Sequence, residues 1–159
     1  MGRAAAAILD TGYEAIIALA VANVVAQLIK FVRDWRRFRR PNFDLLVATG
    51  GMPSSHSSTV TALGVSVGLV AGWDSPVFAV AACFALVTMF DAAGLRRSAS
   101  LQAQALNVIV RELFAPDHRL NHHKLKEFLG HTPREVLAGA MLGAGVSLGL
   151  RGLLSWLGG

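Results

Sequence analysis

The chain has 159 residues, of which 53% are hydrophobic and 16% are charged, and its mean hydropathy is +0.50. Soluble globular domains carry about 25% charged residues, so this composition argues against a soluble protein and favours an integral membrane domain spanning residues 1–159. The net charge of +5 is compatible with nucleic-acid binding, but such a protein would not need membrane-length apolar runs between its basic clusters.

Four apolar segments follow one another along the chain. The stretch before the first one is a poor signal peptide, because Asp10 and Glu14 follow its short apolar run, and we expect it to belong to the mature protein. The segments are Ala15–Ile29, Ser57–Trp73, Ser75–Phe90 and Val136–Leu150. Each is near the ~17-residue lower limit for a membrane-spanning helix. The pattern predicts an all-α membrane bundle of about four transmembrane helices, with buried helices of a soluble bundle as the weaker alternative.

Two local patterns predict how these helices pack. The sequence "AGWDSP", with Pro76 at a helix start, predicts a tight helical hairpin between the second and third segments. In the fourth segment, Gly139 and Gly143 have the GxxxG spacing that lets membrane helices approach closely, and so do Gly145 and Gly149.

A further helix is predicted over Ser98–Phe114. It is more polar than the other four, and its larger apolar residues lie roughly on one side: Leu101, Leu106, Ile109 and Leu113. We expect it to lie at the membrane interface, since a fifth crossing would place the two basic loops of the chain on opposite membrane faces.

Most of the 15 lysines and arginines fall into two groups. One contains Lys30, Arg33, Arg36, Arg37, Arg39 and Arg40, and the other contains Arg96, Arg97, Arg111, Arg119, Lys124, Lys126 and Arg134. The positive-inside rule places both groups in the cytosol, with the intervening turn at Asp74 on the other face. We therefore expect a bacterial inner membrane protein whose basic loops are cytosolic.

Polar residues interrupt the apolar pattern at two helix starts. They are "GGMPSSHSS", beginning at Gly50, and "GHTPREV", beginning at Gly130. Serine or threonine beside proline is typical of a helix start, where unpaired N–H groups form an anion site. A histidine near a bound phosphate can attack phosphorus or protonate a leaving oxygen. Glu135, four residues after His131, can orient that imidazole.

These motifs resemble the type 2 phosphatidic acid phosphatase superfamily, which includes lipid phosphatases, acid phosphatases and vanadium haloperoxidases. The sequence is most similar to its divergent bacterial and plant branch, in "GGMPSSHS", "DAAGLRR", "QALN" and "GHTPREVLAG". The resemblance implies that His131 is a nucleophile forming a phosphoenzyme, that Glu135 orients it, and that His56 is the general acid. It also implies that Ser54 and Ser55 cradle the phosphate, with Ser55 replacing the usual glycine.

The basic residues of the family signatures fit less simply. Arg33 and Arg40-Pro41 have the spacing of the first signature, and Lys30 is the rival for its first position. The third signature of the family has an arginine six residues before the nucleophile, and in this sequence that position is occupied by Leu125. Arg96 or Arg97 of "DAAGLRR" are the candidates to supply the missing charge.

Three other features have simpler alternatives. Asp91 closes the third apolar segment, where an acidic residue is either functional or paired with Arg96 or Arg97. His118 and His122 have metal-ligand spacing with Asp117 nearby, but a solvated loop is the favoured interpretation, so we predict no metal and no cofactor. Cys83, the only cysteine, is expected to be a small core residue.

The sequence thus predicts a metal-independent phosphatase that acts on a phosphorylated lipid through a phosphohistidine. The alternative is a non-catalytic membrane module that binds anionic lipid headgroups, which the absent arginine favours. An anion transporter would need a continuous polar path, and the first and fourth segments show none. Nucleic acid is not an expected partner, and homo-oligomer formation is left open.

Overall fold

The computed structural model describes residues 2–41, 43, 51–113 and 131–158. Within these ranges the chain forms helices and no strands. The six helices are α1 (Gly2–Ile8), α2 (Gly12–Phe38), α3 (Ser55–Ala71), α4 (Pro76–Ala93), α5 (Leu95–Leu113) and α6 (Pro133–Gly158). All four predicted apolar segments are confirmed as helices, α2, α3, α4 and α6.

Helix α2 has a narrow face of small residues with a charged residue at each end. Ala18, Ala22 and Ala26 are fully buried, while Glu14 and Lys30 continue the same four-residue spacing and are also buried. Larger apolar side chains on the other faces are exposed. Small residues let membrane helices approach closely and leave the large ones for lipid, so this face directs α2 toward its neighbours.

Helix α3 lies in the centre of the bundle, against α2, α4 and α6. Its serines make hydrogen bonds to neighbouring helices: the Ser58 hydroxyl donates to the Ala22 carbonyl oxygen at 3.3 Å, and the Ser66 and Ser147 hydroxyls are 2.7 Å apart. All three serines are buried. Because lipid offers no hydrogen-bond partners, these contacts make α3 compatible with the middle of a membrane protein.

Helices α3 and α4 form the predicted hairpin. Ser75 caps α4 by accepting a hydrogen bond from the Phe78 N–H at 3.1 Å, and Pro76 occupies the first helical position, where its missing N–H costs nothing. The Trp73 ring packs edge-on against Phe78 and over Gly68, where a Cβ would overlap it. Cys83 is exposed on α4, so its predicted core position is wrong.

Among the described residues, only one of the two GxxxG pairs in α6 packs against another helix. A Cβ on Gly139 would overlap the Ser54 carbonyl oxygen, and one on Gly143 would overlap the Ser58 carbonyl oxygen. Gly145 and Gly149 face open space. The first pair therefore brings the backbone of α6 against the first turn of α3.

At the opposite end of the bundle, Arg151 of α6 joins α2 to the turn before it. Its guanidinium donates to the Asp10 carboxylate at 2.6 Å and to both Glu14 oxygens at 3.1 and 3.2 Å. Glu14 is fully buried, so this contact provides the partner that a buried carboxylate requires.

The helix predicted over Ser98–Phe114 is confirmed as α5, which begins three residues earlier. It is amphipathic and packs against α4. Its leucines at 101, 106 and 113 are exposed, as expected for a helix lying in an interface, but its position relative to the membrane stays a prediction.

In the described ranges, α2, α4 and α6 are each long and apolar enough to cross a membrane. Helix α3 has 17 residues and is enclosed by these three. The predicted fold class, an all-α helical membrane bundle, is confirmed.

Candidate phosphate site

Two backbone hydrogen bonds gather the polar motifs at one end of the bundle. The Ser54 N–H donates to the Glu135 carbonyl oxygen at 3.1 Å, and the His131 N–H donates to the Ala92 carbonyl oxygen at 3.1 Å. These bonds join the start of α3 to the start of α6, and the segment before α6 to the end of α4. The two histidine motifs, separated in sequence, therefore share one site.

The first motif forms a turn in which Ser54, Ser55 and Ser57 are buried, called here the serine turn. Ser54 is the N-cap of α3, and its hydroxyl accepts hydrogen bonds from the Ser57 N–H at 3.3 Å and the Ser57 hydroxyl at 3.0 Å. Capping satisfies one of the N–H groups that a helix start leaves open. The predicted helix start is confirmed, although Pro53 precedes the cap and does not lie in the first turn.

Lys30 reaches this serine turn from α2. Its ammonium group donates to the Ser55 hydroxyl at 3.2 Å, in a buried contact. A buried cation beside a helix start reinforces the positive partial charge of that helix end, so an anion would be attracted to this position.

The second motif holds its carboxylate, that of Glu135, in the first turn of α6. Glu135 Oε2 accepts a hydrogen bond from the Thr132 N–H at 2.9 Å and lies 3.4 Å from His131 Nδ1. The Glu135 N–H in turn donates to Thr132 Oγ1 at 3.4 Å. This reciprocal pair is a capping box. A carboxylate on Nδ1 favours the tautomer with its proton there, leaving a lone pair on Nε2.

The rings of His56 and His131 lie next to each other in an edge-to-face arrangement. Their ring centroids are 6.3 Å apart and their planes are inclined by 61°. His131 is only 3% exposed, whereas His56 is half-buried. The structure therefore places a more accessible imidazole beside an enclosed one that is paired with an acid.

The remaining predicted site residues lie on the exposed surface, at the end of α4 or outside the described part of the structure. Arg33 and Arg40 are exposed, and Arg33 lines an outward-facing groove along α2 with Arg36. Asp91 is half-buried in the last turn of α4, next to Ala92. Arg96 and Arg97 belong to α5, but their side chains lie outside the described part of the structure, as do Asp117, His118, His122, Lys124 and Leu125.

Two residues that shape the site were not among those predicted from the sequence. Thr132 holds the Glu135 carboxylate, and Ser57 completes the serine turn. The T-x-x-E spacing of a capping box was available in "HTPRE" as a signal for Thr132. The hydrogen bond from Ser57 depends on the rotamer of Ser54, which no sequence pattern specifies.

The cluster combines groups suited to a tetrahedral oxyanion. Lys30 and the serine turn provide positive charge and hydrogen-bond donors, and an imidazole can donate or accept a proton in general acid–base catalysis. A carboxylate-oriented imidazole can also act as a nucleophile. No set of three His, Cys, Asp or Glu side chains suited to a metal occurs among the residues that the structure describes.

Comparison with known proteins agrees with the motif resemblance. The model of the divergent PAP2 family matches residues 12–146. The chain is also 42% identical over 132 residues to the "Uncharacterized membrane protein YuiD" of Bacillus subtilis (strain 168), which covers 77% of this chain and 84% of the relative. No solved structure shows a significant match. The family match includes both histidine motifs, all of α3 and the first part of α6, and the chain belongs to the divergent PAP2 family.

Proposed function

We propose that the protein is a lipid-phosphate phosphatase that works through a phosphohistidine on His131. The observation that carries the proposal is the arrangement of His131, with Glu135 3.4 Å from Nδ1 and the His56 ring 6.3 Å away, centroid to centroid. Reacting atoms approach to about 3–3.5 Å before bond formation. Two imidazoles this close can both reach a single phosphoryl group that is bound beside them.

In the first step, the Nε2 lone pair of His131 attacks phosphorus. The N–P bond forms as the bond to the leaving oxygen breaks, and that oxygen takes a proton from the His56 imidazolium. Glu135 stabilises the positive charge that develops on His131, as a carboxylate does in triad chemistry. Lys30 and the serine turn at Ser54 and Ser55 hold the negative phosphoryl oxygens.

In the second step, water attacks the phosphohistidine. His56, now neutral, takes a proton from the water as the new O–P bond forms. The N–P bond breaks, its electron pair returns to Nε2 of His131, and inorganic phosphate leaves. Both histidines regain their starting protonation states, so the cycle needs no external oxidant or reductant.

The phosphate site lies at the end of the bundle where α2 and α4 finish and α3 and α6 begin. An amphiphilic substrate fits this position because its headgroup can reach the polar end while its chain stays among apolar helix faces. The basic residues near the end of α2, including Arg36 and Arg37, support a cytosolic position for this end. We therefore propose an inner membrane enzyme with its site facing the cytosol.

Cysteine labelling tests this orientation. In a Cys83→Ser background, the Asp74→Cys variant should react with an impermeant thiol reagent in intact spheroplasts, and the Arg37→Cys variant should react only after permeabilisation. The opposite labelling pattern would place the site on the outer face.

A second candidate function is the binding of anionic headgroups without catalysis. It is favoured by the burial of His131, which is 3% exposed, and by Leu125 in the place of an expected arginine. Lys30 and the serine turn would suffice to hold a headgroup in this case.

Phosphate release separates the two candidates. Purified protein in lipid nanodiscs should release inorganic phosphate from lysophosphatidic acid, phosphatidic acid or an isoprenyl diphosphate, and His131→Ala should not.

EDTA should leave the activity intact because an imidazole nucleophile requires no metal, and vanadate should inhibit by imitating the phosphoryl transition state. Headgroup binding without release in this panel would favour the binding module. If EDTA abolished the activity and zinc restored it, the result would support a metal site at Asp117, His118 and His122.

A further inference from the structure

A groove runs between the end of α4 and the start of α6. Its volume is about 490 Å³, and its walls are apolar side chains, chiefly Leu86, Met89 and Ala93 from α4 and Pro133, Val136 and Ala140 from α6. At 1.5 Å per residue, the α4 wall from Leu86 to Ala93 extends roughly 10 Å along the helix axis. The groove therefore follows the facing sides of α4 and α6 over about two helical turns.

One end of the groove reaches the phosphate site. Ala93 and Pro133 line that end. Ala93 follows Ala92 in the chain, and Pro133 is two residues after His131. Ala92 and His131 are the residues joined by the backbone hydrogen bond described above. The main chain that positions His131 thus forms part of the boundary between groove and site. The other end lies farther along the membrane-spanning parts of α4 and α6.

We infer that this groove holds the hydrocarbon chain of the lipid phosphate during turnover. This inference rests on the proposed function, and it adds where the chain lies and why an amphiphile is preferred. An apolar wall at membrane depth offers no partner for a polar ligand, whereas a hydrocarbon chain can occupy it at no desolvation cost. The headgroup of the same molecule would lie beside His131, because the groove ends there.

Chain recognition of this kind makes a specific kinetic prediction. Ala140 lines the groove, and Ala140→Trp would fill it with an indole ring. For oleoyl lysophosphatidic acid, kcat/KM should fall at least about tenfold, the scale on which an apolar pocket discriminates between chains. For p-nitrophenyl phosphate, which has no chain, it should change less than about twofold. Leu148→Trp, at an exposed position farther along the same helix, is the matched control and should affect neither substrate.

Photo-crosslinking measures occupancy without relying on turnover. A lysophosphatidic acid with a diazirine in its acyl chain should label peptides containing Met89 and Val136 in the unmodified protein. Ala140→Trp should remove this label. Excess dodecyl phosphate should compete more effectively than dodecanol, because only the phosphate has a headgroup for the site.

The results separate this inference from the proposed function. Labelling of the groove without hydrolysis of any lipid phosphate would support the chain site and overturn the phosphatase. Hydrolysis with label spread equally over exposed residues such as Val80 and Leu148 would overturn the groove and leave the phosphatase standing. Absence of label from the groove would also overturn the inference.

Discussion

Lys30 and Ser55 are 25 positions apart in the sequence, yet the lysine ammonium lies 3.2 Å from the serine hydroxyl in a buried contact. The contact joins the small-residue face of α2 to the first turn of α3. Because a buried ammonium group needs polar partners, Lys30 is directed at the site by the same packing that holds the helices together. Arg33, three residues later, lies on an exposed surface.

We therefore expect Lys30 to contribute more to phosphate binding than Arg33. A hydrogen bond to a charged group is worth about 1.5–3 kcal/mol, so Lys30→Met should lower kcat/KM about 10- to 100-fold. Arg33→Met is the matched control and should lower it less than about threefold. Steady-state kinetics with one lipid phosphate measures both. A large loss for Arg33→Met with little change for Lys30→Met would assign the first signature to Arg33.

The close approach of α6 to α3 predicts a contrast between two glycines of one helix. Gly139→Ala places a Cβ against the Ser54 carbonyl oxygen, so the helices must separate and the two histidines with them. We expect a lower melting temperature in detergent and loss of most activity. Gly145→Ala enters open space and should be neutral or stabilising by up to about 1 kcal/mol. Equal effects of the two substitutions would mean that the contact at Gly139 does not position the site.

The carboxylate of Glu135 should act mainly on the rate of the chemical step. Glu135→Gln leaves a side chain of the same size but removes the charge that favours the proton on Nδ1 of His131. We expect kcat to fall about 10²–10⁴-fold, up to the scale found when a triad acid is neutralised, while KM changes little. A rise in KM with kcat unchanged would instead make Glu135 a binding residue.

Thr132 supports that carboxylate and provides a milder comparison. Thr132→Ala removes the hydroxyl that accepts from the Glu135 N–H but keeps the backbone N–H that donates to the carboxylate. Loss of a helix cap costs about 1 kcal/mol, so we expect a small decrease in stability and a decrease of a few-fold in kcat. Thr132→Ser should restore both, because serine is also a good N-cap residue.

Arg151 should matter for stability and not for catalysis, since it lies at the end of the bundle opposite the histidines. Arg151→Met leaves the fully buried Glu14 without its guanidinium partner, which typically costs about 3–5 kcal/mol. We expect the melting temperature in detergent to fall sharply. Adding Glu14→Gln should recover part of the loss because the remaining buried group is then neutral. If the double variant were as unstable as the single one, the charge of Glu14 would not be the cause.

Much of the bundle was predictable because its signals are local. Apolar runs of membrane length gave the four helices, and Ser75 with Pro76 indicated the hairpin, since caps and prolines act within one turn. The spacing of His131 and Glu135 likewise predicted a pair that the structure brings to 3.4 Å.

The remaining features depend on packing between helices. Two GxxxG pairs look alike in sequence, yet only Gly139 and Gly143 meet α3, because the choice depends on which face of α6 turns inward. The approach of Lys30 to Ser55 requires the crossing of α2 and α3, and the exposure of Cys83 depends on which face of α4 is covered. Periodicity within one helix does not determine these relations.

The most direct test of the central claim is the position of the phosphoryl group during turnover. Protein mixed with a ³²P-labelled lipid phosphate, quenched within milliseconds at alkaline pH where phosphohistidine survives, should carry label on the peptide that contains His131. His131→Ala should carry none. His56→Ala should still become labelled from a substrate whose leaving group needs no proton, and should lose the label slowly, because general acid–base catalysis is worth about 10²–10⁴-fold. Label that persists in His131→Ala and disappears in His56→Ala would contradict the account.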